Sequence, residues 1–251
     1  MALCVIVLTP DHVAATRWLS LGFVGGLLAF MLTACASSQV EVSGPSQETL
    51  SPSQVVSLSS GALSDISTFR FSLSHNEGST VLTNGIQVLD VNGTAATPNS
   101  YRITADTLVS GFFVNSQIVV IGDDSYMTHP ITQDWQQLTL GANPFSTFDP
   151  VKMVRNILNQ VSNTVLTPSN LIPAHTYGVD GQLPAQALAT LTGGVDETAP
   201  PLRVRLIVDR TSMAPIEARV TGRTTVTESD NLVRTVRLSE FNSDVVIEPP
   251  L

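Results

Sequence analysis

The chain has 251 residues, with 21 acidic against 12 basic side chains and a net charge of −9 at pH 7. A net acid lacks the basic footprint that nucleic acid requires, and disfavours general electrostatic adhesion to anionic lipid surfaces. The two cysteines, Cys4 and Cys35, both lie near the N-terminus, so the rest of the chain has no thiol for a disulfide, a metal or a nucleophile.

In chain order, the first feature is the apolar run Trp18–Phe30 behind a single positive charge, Arg17. A short apolar run, a leading positive charge and small residues after it make a secretory signal peptide. The run is below the roughly 18–20 residues that a bilayer span needs. Leu32-Thr33-Ala34-Cys35 follows and resembles a bacterial lipobox. That resemblance implies a diacylglyceryl group on Cys35, the lipid-attachment residue, and cleavage just before it. Residues 1–34 are then the signal peptide, and 35–53 are a lipidated N-terminus and flexible tether rich in Ser, Gln and Pro. An ordinary signal peptide with an incidental cysteine is the plainer alternative. Met1–Val13 adds a second apolar patch, Ala2–Leu8, ahead of Arg17. A signal beginning near Val13 is more regular, which points to a start codon downstream of Met1. Removing 34 of the 251 residues leaves 217, enough for one large β-rich domain, expected over 54–251, whose core needs no staples.

That domain opens with a helix expected over Gln54–Ile66, with apolar Val55, Val56, Leu58, Leu63 and Ile66. Phe69, Phe71 and Leu73 then alternate with Arg70, Ser72 and Ser74, which is the period of a half-buried strand. Ile86, Val88 and Val91 continue in the same way. Tyr101, Ile103, Ala105, Thr107 and Val109 line one face of a third strand. Gly111–Ile121 is a long apolar strand, Gly122-Asp123-Asp124-Ser125 a turn, Tyr126-Met127 the return, and Trp135–Leu140 a further strand. Asp149-Pro150 starts a helix, since Asp caps free amides and Pro fits the first turn. Val154, Ile157, Leu158 and Val161 give it an apolar stripe. A strand is expected near Tyr177, Val179 and Gly181. Pro184–Leu191 reads as a short helix stopped by Gly193-Gly194. Val204, Leu206 and Val208 alternate again, and Pro215–Val220, Thr224–Thr227, Leu232–Leu238 and Val245–Ile247 close the chain as strands. The order is α+β: one large antiparallel sheet with a few helices on one face.

Catalytic patterns are missing from the sequence: there is no Gly-x-Ser-x-Gly elbow, His-Glu-x-x-His or Walker loop. His75, His129 and His175 are far apart and lack metal-ligand spacing. Asp123, Asp124, Ser125 and His129 crowd one hairpin, where Asp is a preferred turn residue. Asn92-Gly93 reads as a turn. No enzyme, metal or cofactor is expected, beyond the lipid on Cys35.

Several stretches resemble, in order, the LppX/LprA/LprF/LprG lipoproteins of actinobacteria. They are Val119–Met127 with Trp135, Phe148-Asp149-Pro150 leading to Ile157-Leu158, Tyr177–Gly181 running into Leu183-Pro184, Leu202–Val220, and Val236–Phe241 before a Pro-Pro end. The resemblance covers roughly Gln54 to Leu251. It implies a half-open antiparallel barrel whose concave face holds helices and encloses an apolar cavity for acylated lipid or lipoglycan. The cavity wall would be Phe69, Phe71, Leu73, Tyr101, Ile103, Val204, Leu206 and Val208. The lid would be Val154, Ile157, Leu158, Val161, Leu188 and Leu191. Each of these is also what any sheet or helix uses for ordinary core. The reading is a non-enzymatic, monomeric lipid carrier anchored on the extracytoplasmic face of the cell membrane, with an acylated lipid or glycolipid and a membrane transporter as partners. The alternatives are an envelope scaffold or exporter subunit with a filled core, and a hydrolase with an unrecognised site. A likeness in architecture to the LolA/LolB carriers keeps lipoprotein cargo open.

Overall fold

In a computed structural model of the chain, residues 50–250 are described, apart from 140–142 and 144. The signal segment, the Cys35 lipobox, the start-codon question and most of the tether lie outside the described residues. Helix α1 is Pro52–Ser64, α2 is Pro150–Gln160 and α3 is Ala189–Thr192, preceded by a 3-10 turn at Ala185–Leu188. The strands are β1 (Thr68–Asn76), β2 (Thr80–Val81), β3 (Gln87–Ala96), β4 (Ser100–Val109), β5 (Phe112–Ile121), β6 (Asp124–Thr128), β7 (Trp135–Leu138), β8 (Ser162–Leu166), β9 (Thr176–Leu183), β10 (Leu202–Asp209), β11 (Pro215–Thr221) and β12 (Val233–Ser239).

These twelve strands form one antiparallel sheet in the order β7-β6-β5-β4-β3-β1-β12-β11-β10-β9-β8, with β2 added beside β3. The sheet does not close, because β7 and β8 stand at its two ends. Alternation puts one face of each long strand inward. One inward row runs across five strands, Ile118–Ile103–Gly93–Phe71–Leu238. A second runs Val91–Leu73–Val236–Ala218–Leu206–Val179. The helices cover this face and share with it one continuous hydrophobic core. Among the described residues, helices, sheet and core form one compact unit.

The structure corrects several local expectations. Asn92-Gly93 is no turn. Gly93 lies inside β3, facing inward between Phe71 and Ile103. A Cβ there would sit 2.5 Å from the Arg102 carbonyl oxygen and 2.6 Å from Ile103 Cγ2, so the glycine lets its neighbours close over it. Thr224–Thr227 is a loop whose Thr224 amide and hydroxyl are committed to Glu228. Val245–Ile247 is also irregular. The chain turns off β12 at Asn242, which accepts from the Ser67 amide at 2.7 Å, and runs on to Glu248, whose carbonyl accepts from Arg102 at 3.3 Å. The strand at Trp135 ends at Leu138, and β8 fills a stretch that carries no apolar alternation. Helix α1 begins at Pro52, inside the expected tether. Ser51 caps it in a reciprocal box: its Oγ accepts from the Gln54 amide at 3.3 Å, and Gln54 Oε1 accepts from the Ser51 amide at 2.8 Å.

One buried polar network ties β1, β2, β12 and the 222–232 loop together. Arg234, 1% exposed, pairs with Glu228. Its Nε donates to Thr80 Oγ1 at 2.8 Å and its Nη1 to the Gly222 carbonyl at 2.8 Å. Glu228 also accepts from the Val81 amide at 3.0 Å and the Thr224 amide at 2.7 Å. His75 Nδ1 lies 2.6 Å from the Leu89 carbonyl, so it donates there, and Nε2, 2.7 Å from Thr80 Oγ1, accepts. With a neutral ring, the Thr80 hydroxyl donates a hydrogen bond to Nε2 and accepts one from Arg234 Nε. Burial, aided by the Arg234 charge, holds the His75 pKa below its ordinary value, against the Leu89 bond and the charges of Asp90 and Glu228. Burial alone would raise the Glu228 carboxyl, but Arg234 and the Thr224 and Val81 amides outweigh it and hold it below the carboxylate range.

Two outcomes are expected. Glu228→Gln leaves Arg234 buried without its counter-charge and costs about 3–5 kcal/mol in urea unfolding, whereas the apolar pair Arg234→Met with Glu228→Leu costs far less. The native state resists protonating His75, so that contribution is complete above pH about 6.5 and is lost as pH falls through and below it. Urea midpoints should therefore drop between about pH 7 and 5 in the parent chain, and this part of the drop should vanish in His75→Gln.

Candidate functional site

The candidate site is the apolar layer between the inward sheet face and α2. Asp149 starts α2, its Oδ1 accepting from the Lys152 amide at 2.8 Å, and Pro150 fits the first turn. The helix is amphipathic: Pro150, Val151, Met153, Val154, Ile157 and Leu158 are buried, while Lys152, Arg155, Asn159 and Gln160 face water. Ser60 of α1 donates to Asn159 Oδ1 at 2.8 Å and ties the two helices. On the sheet side an aromatic chain leads into the layer. Phe69 meets Phe71 at 6.1 Å, Phe71 meets Phe148 at 5.9 Å, and Phe148 meets Tyr101 edge-on at 5.7 Å.

All fourteen residues expected to form wall and lid come together here. The eight wall residues and Val154, Ile157, Leu158, Leu188 and Leu191 are buried in one cluster. Val161 is half-buried against it, one residue past the end of α2. They touch one another, so wall and lid are in contact in this structure. Sequence reasoning missed Phe148, Phe145, Val151 and Met153. Met153, 0% exposed, falls on the same stripe as Val154 and Ile157 and was there to be read. Phe145 and Phe148 precede the helix in a segment without periodicity.

At the N-terminal end of α2 the layer opens into a cleft of about 260 Å³. Its floor is Tyr101, Val120, Phe148 and Val151. Its rim is polar: Asn99 and Ser100 at the start of β4, Asp123 and Ser125 of the β5–β6 hairpin, and Asn143, Ser146 and Asp149 before α2. Of the fourteen residues, Tyr101 alone borders this cleft. Burial and the nearby Asp149 charge push the Tyr101 hydroxyl well above its ordinary pKa, so it stays protonated. The rim has two carboxylates and no cation. It offers acceptors, amides and hydroxyls, which suit hydroxyl-bearing head groups better than a bare phosphate. Among the described residues no three His, Cys, Asp or Glu side chains are grouped to hold a metal, and no helix is long and apolar enough to cross a membrane.

A family model for the LppX_LprAFG lipoproteins matches residues 51–247. The chain belongs to the LppX/LprA/LprF/LprG lipoprotein family. The fold agrees. LprF from Mycobacterium bovis superposes with a TM-score of 0.62 at 15% identity, over 79% of this chain and 96% of that one. Lipoprotein LppX from Mycobacterium tuberculosis superposes at 0.55 and 13% identity, over 78% and 98%. A LolA superfamily protein from Nitrosomonas europaea reaches 0.27 at 11% identity, over 77% and 93%, which carries no argument about cargo. Comparison with curated proteins finds no significant match. The family membership and the large open antiparallel sheet with three helices agree with the reading made from the sequence.

Phe148 packs between Phe71 and Tyr101 in the floor of the cleft. Phe148→Ala should cost about 3–5 kcal/mol in thermal or urea unfolding and leave a cavity. The same variant should take up more of a small apolar fluorescent probe than the parent, measured under native conditions.

Proposed function

We propose that this family member is a non-enzymatic lipid carrier, anchored through Cys35 at the extracytoplasmic face of the cell membrane. The observation that carries this reading is the amphipathic helix α2, lying over an apolar sheet face and beginning at a polar-rimmed cleft. An acyl chain costs about 0.8 kcal/mol per methylene in water, so a sixteen-carbon chain costs on the order of 12 kcal/mol. A carrier has to offset that cost with a dry, concave apolar surface. The inward rows of the sheet are such a surface once α2 moves off them, and the α2 stripe then covers the chain. The head group stays at the rim, where Asn99, Asp123, Asn143 and Tyr101 suit the hydroxyls of a glycolipid or lipoglycan. Anchoring follows the same arithmetic: one acyl chain holds a protein marginally and two hold it stably, so a diacylated Cys35 keeps the domain where its cargo is. A membrane transporter is the partner such a carrier would serve.

One observation favours a second reading. Wall and lid already touch, as in a filled core, and an envelope scaffold or exporter subunit would need no more than that. The two readings part on cargo. A chain beginning at Ala36, purified and examined by native mass spectrometry and organic extraction, should carry a stoichiometric acylated lipid. Val154→Asp or Ile157→Asp should abolish it in protein that still melts cooperatively. Protein of bare chain mass that takes up no lipid from vesicles would overturn the carrier and leave the scaffold.

A further inference from the structure

The β4–β5 hairpin ends in an apolar tip that the cleft and the core do not use. Ser110 (φ 52°) and Gly111 (φ 84°) form a two-residue turn with both φ angles positive, the arrangement that matches the twist of paired strands. Val109 lies opposite Phe112, and Leu108 opposite Phe113. Phe112 is 75% exposed and Phe113 62%. Successive strand residues point to opposite faces, so the tip is apolar on both sides and has the form of a wedge. Residues 107–121 carry no charge in a chain of net charge −9. Ile131, 86% exposed, lies in the loop after β6. Gln133 of that loop donates to the Asn115 carbonyl at 3.4 Å, which holds the loop beside β5.

The size of the tip selects its occupant. Two phenylalanines bury at most about 300–500 Å², whereas a stable protein interface needs about 1,000 Å² with matching shape. A bilayer asks for no matching shape and accepts a narrow, uncharged aromatic wedge. We propose that the tip Val109–Phe113 inserts into the interfacial layer of a lipid bilayer and orients the domain on it. This rests on the membrane-side placement proposed above, but not on any cargo.

The test uses the chain beginning at Ala36, which keeps every described residue and lacks the anchor. In a Trp135→Phe background, Phe112→Trp should shift its emission to the blue on neutral phosphatidylcholine vesicles and be quenched by brominated phosphatidylcholine. Phe112→Ser with Phe113→Ser should weaken vesicle partitioning at least about tenfold. Salt at about 0.5 M should not change the partitioning, because the contact is apolar. Thermal midpoints of parent and variant should agree, since both side chains are exposed. An unshifted, unquenched Trp, or equal partitioning of parent and double variant, would overturn the proposal. So would a concentration-dependent dimer in sedimentation that the double variant abolishes, because the tip would then serve a second copy. Extracted lipid is measured on the same samples. Lost partitioning with cargo retained supports the tip whatever the cargo is, and an empty chain that still partitions overturns the carrier while leaving the tip in place.

Discussion

One apolar face of a single open sheet has to be hidden from water, and the rest of the structure follows from that. A closed barrel would hide it by curling on itself. Here β7 and β8 remain as unpaired ends, so helices have to cover the inner face. The polar stripe of α2 and the arginines, carboxylates and hydroxyls on the outer sheet face, paired as in Arg205–Asp180 and Arg237–Glu217, are the other side of the same constraint. The covering is made of separate pieces. A helix of 11 residues held by an Asp149 cap, one Ser60–Asn159 bond and apolar contacts is a cover that moves more cheaply than a strand within a ladder, whose every residue is hydrogen-bonded to a neighbour.

The sheet also has interior space to close, and Gly93 and the Arg234 network do so by different physics. At Gly93 the removal of a side chain lets Phe71 and Ile103 approach across three strands. At the far end of β1 and β12, the Arg234–Glu228 pair and His75 close the space with hydrogen bonds in place of apolar packing. Buried ion pairs add little net stability over an apolar equivalent. Their directional bonds do fix which groups meet, and they hold the short β2 and the 222–232 loop against the sheet.

The inward strands were legible because alternation is imposed by burial itself. Phe69/Phe71/Leu73, Tyr101/Ile103 and Val204/Leu206/Val208 have to alternate if one face is buried and the other is wet. α2 was legible for a similar reason, with Asp149-Pro150 marking its start. The misreadings came where a local signal competed with tertiary context. Asn92-Gly93 has turn chemistry, yet the space between Phe71 and Ile103 admits nothing larger than glycine. Thr224–Thr227 has β propensity, but its amide and hydroxyl are drawn to Glu228. Phe148 has no periodic partners and was passed over, although it touches both Phe71 and Tyr101. Nothing in the local sequence marks Arg234 and Glu228 as buried, since charged residues are mostly exposed. Their burial depends on a match between β12 and a loop that pattern alone does not reveal.

The cleft and the hairpin tip stand at opposite ends of one strand. Ser100 borders the cleft and Val109 begins the tip, with β4 running between them for 10 residues, a rise of about 33 Å. A flat bilayer that receives the tip with β4 upright therefore leaves the cleft pointing away from it. A domain held by the proposed tip contact would keep one end on a bilayer and offer the other to whatever lies beyond. That geometry would suit the carrier proposed above if it hands its lipid outward from the membrane.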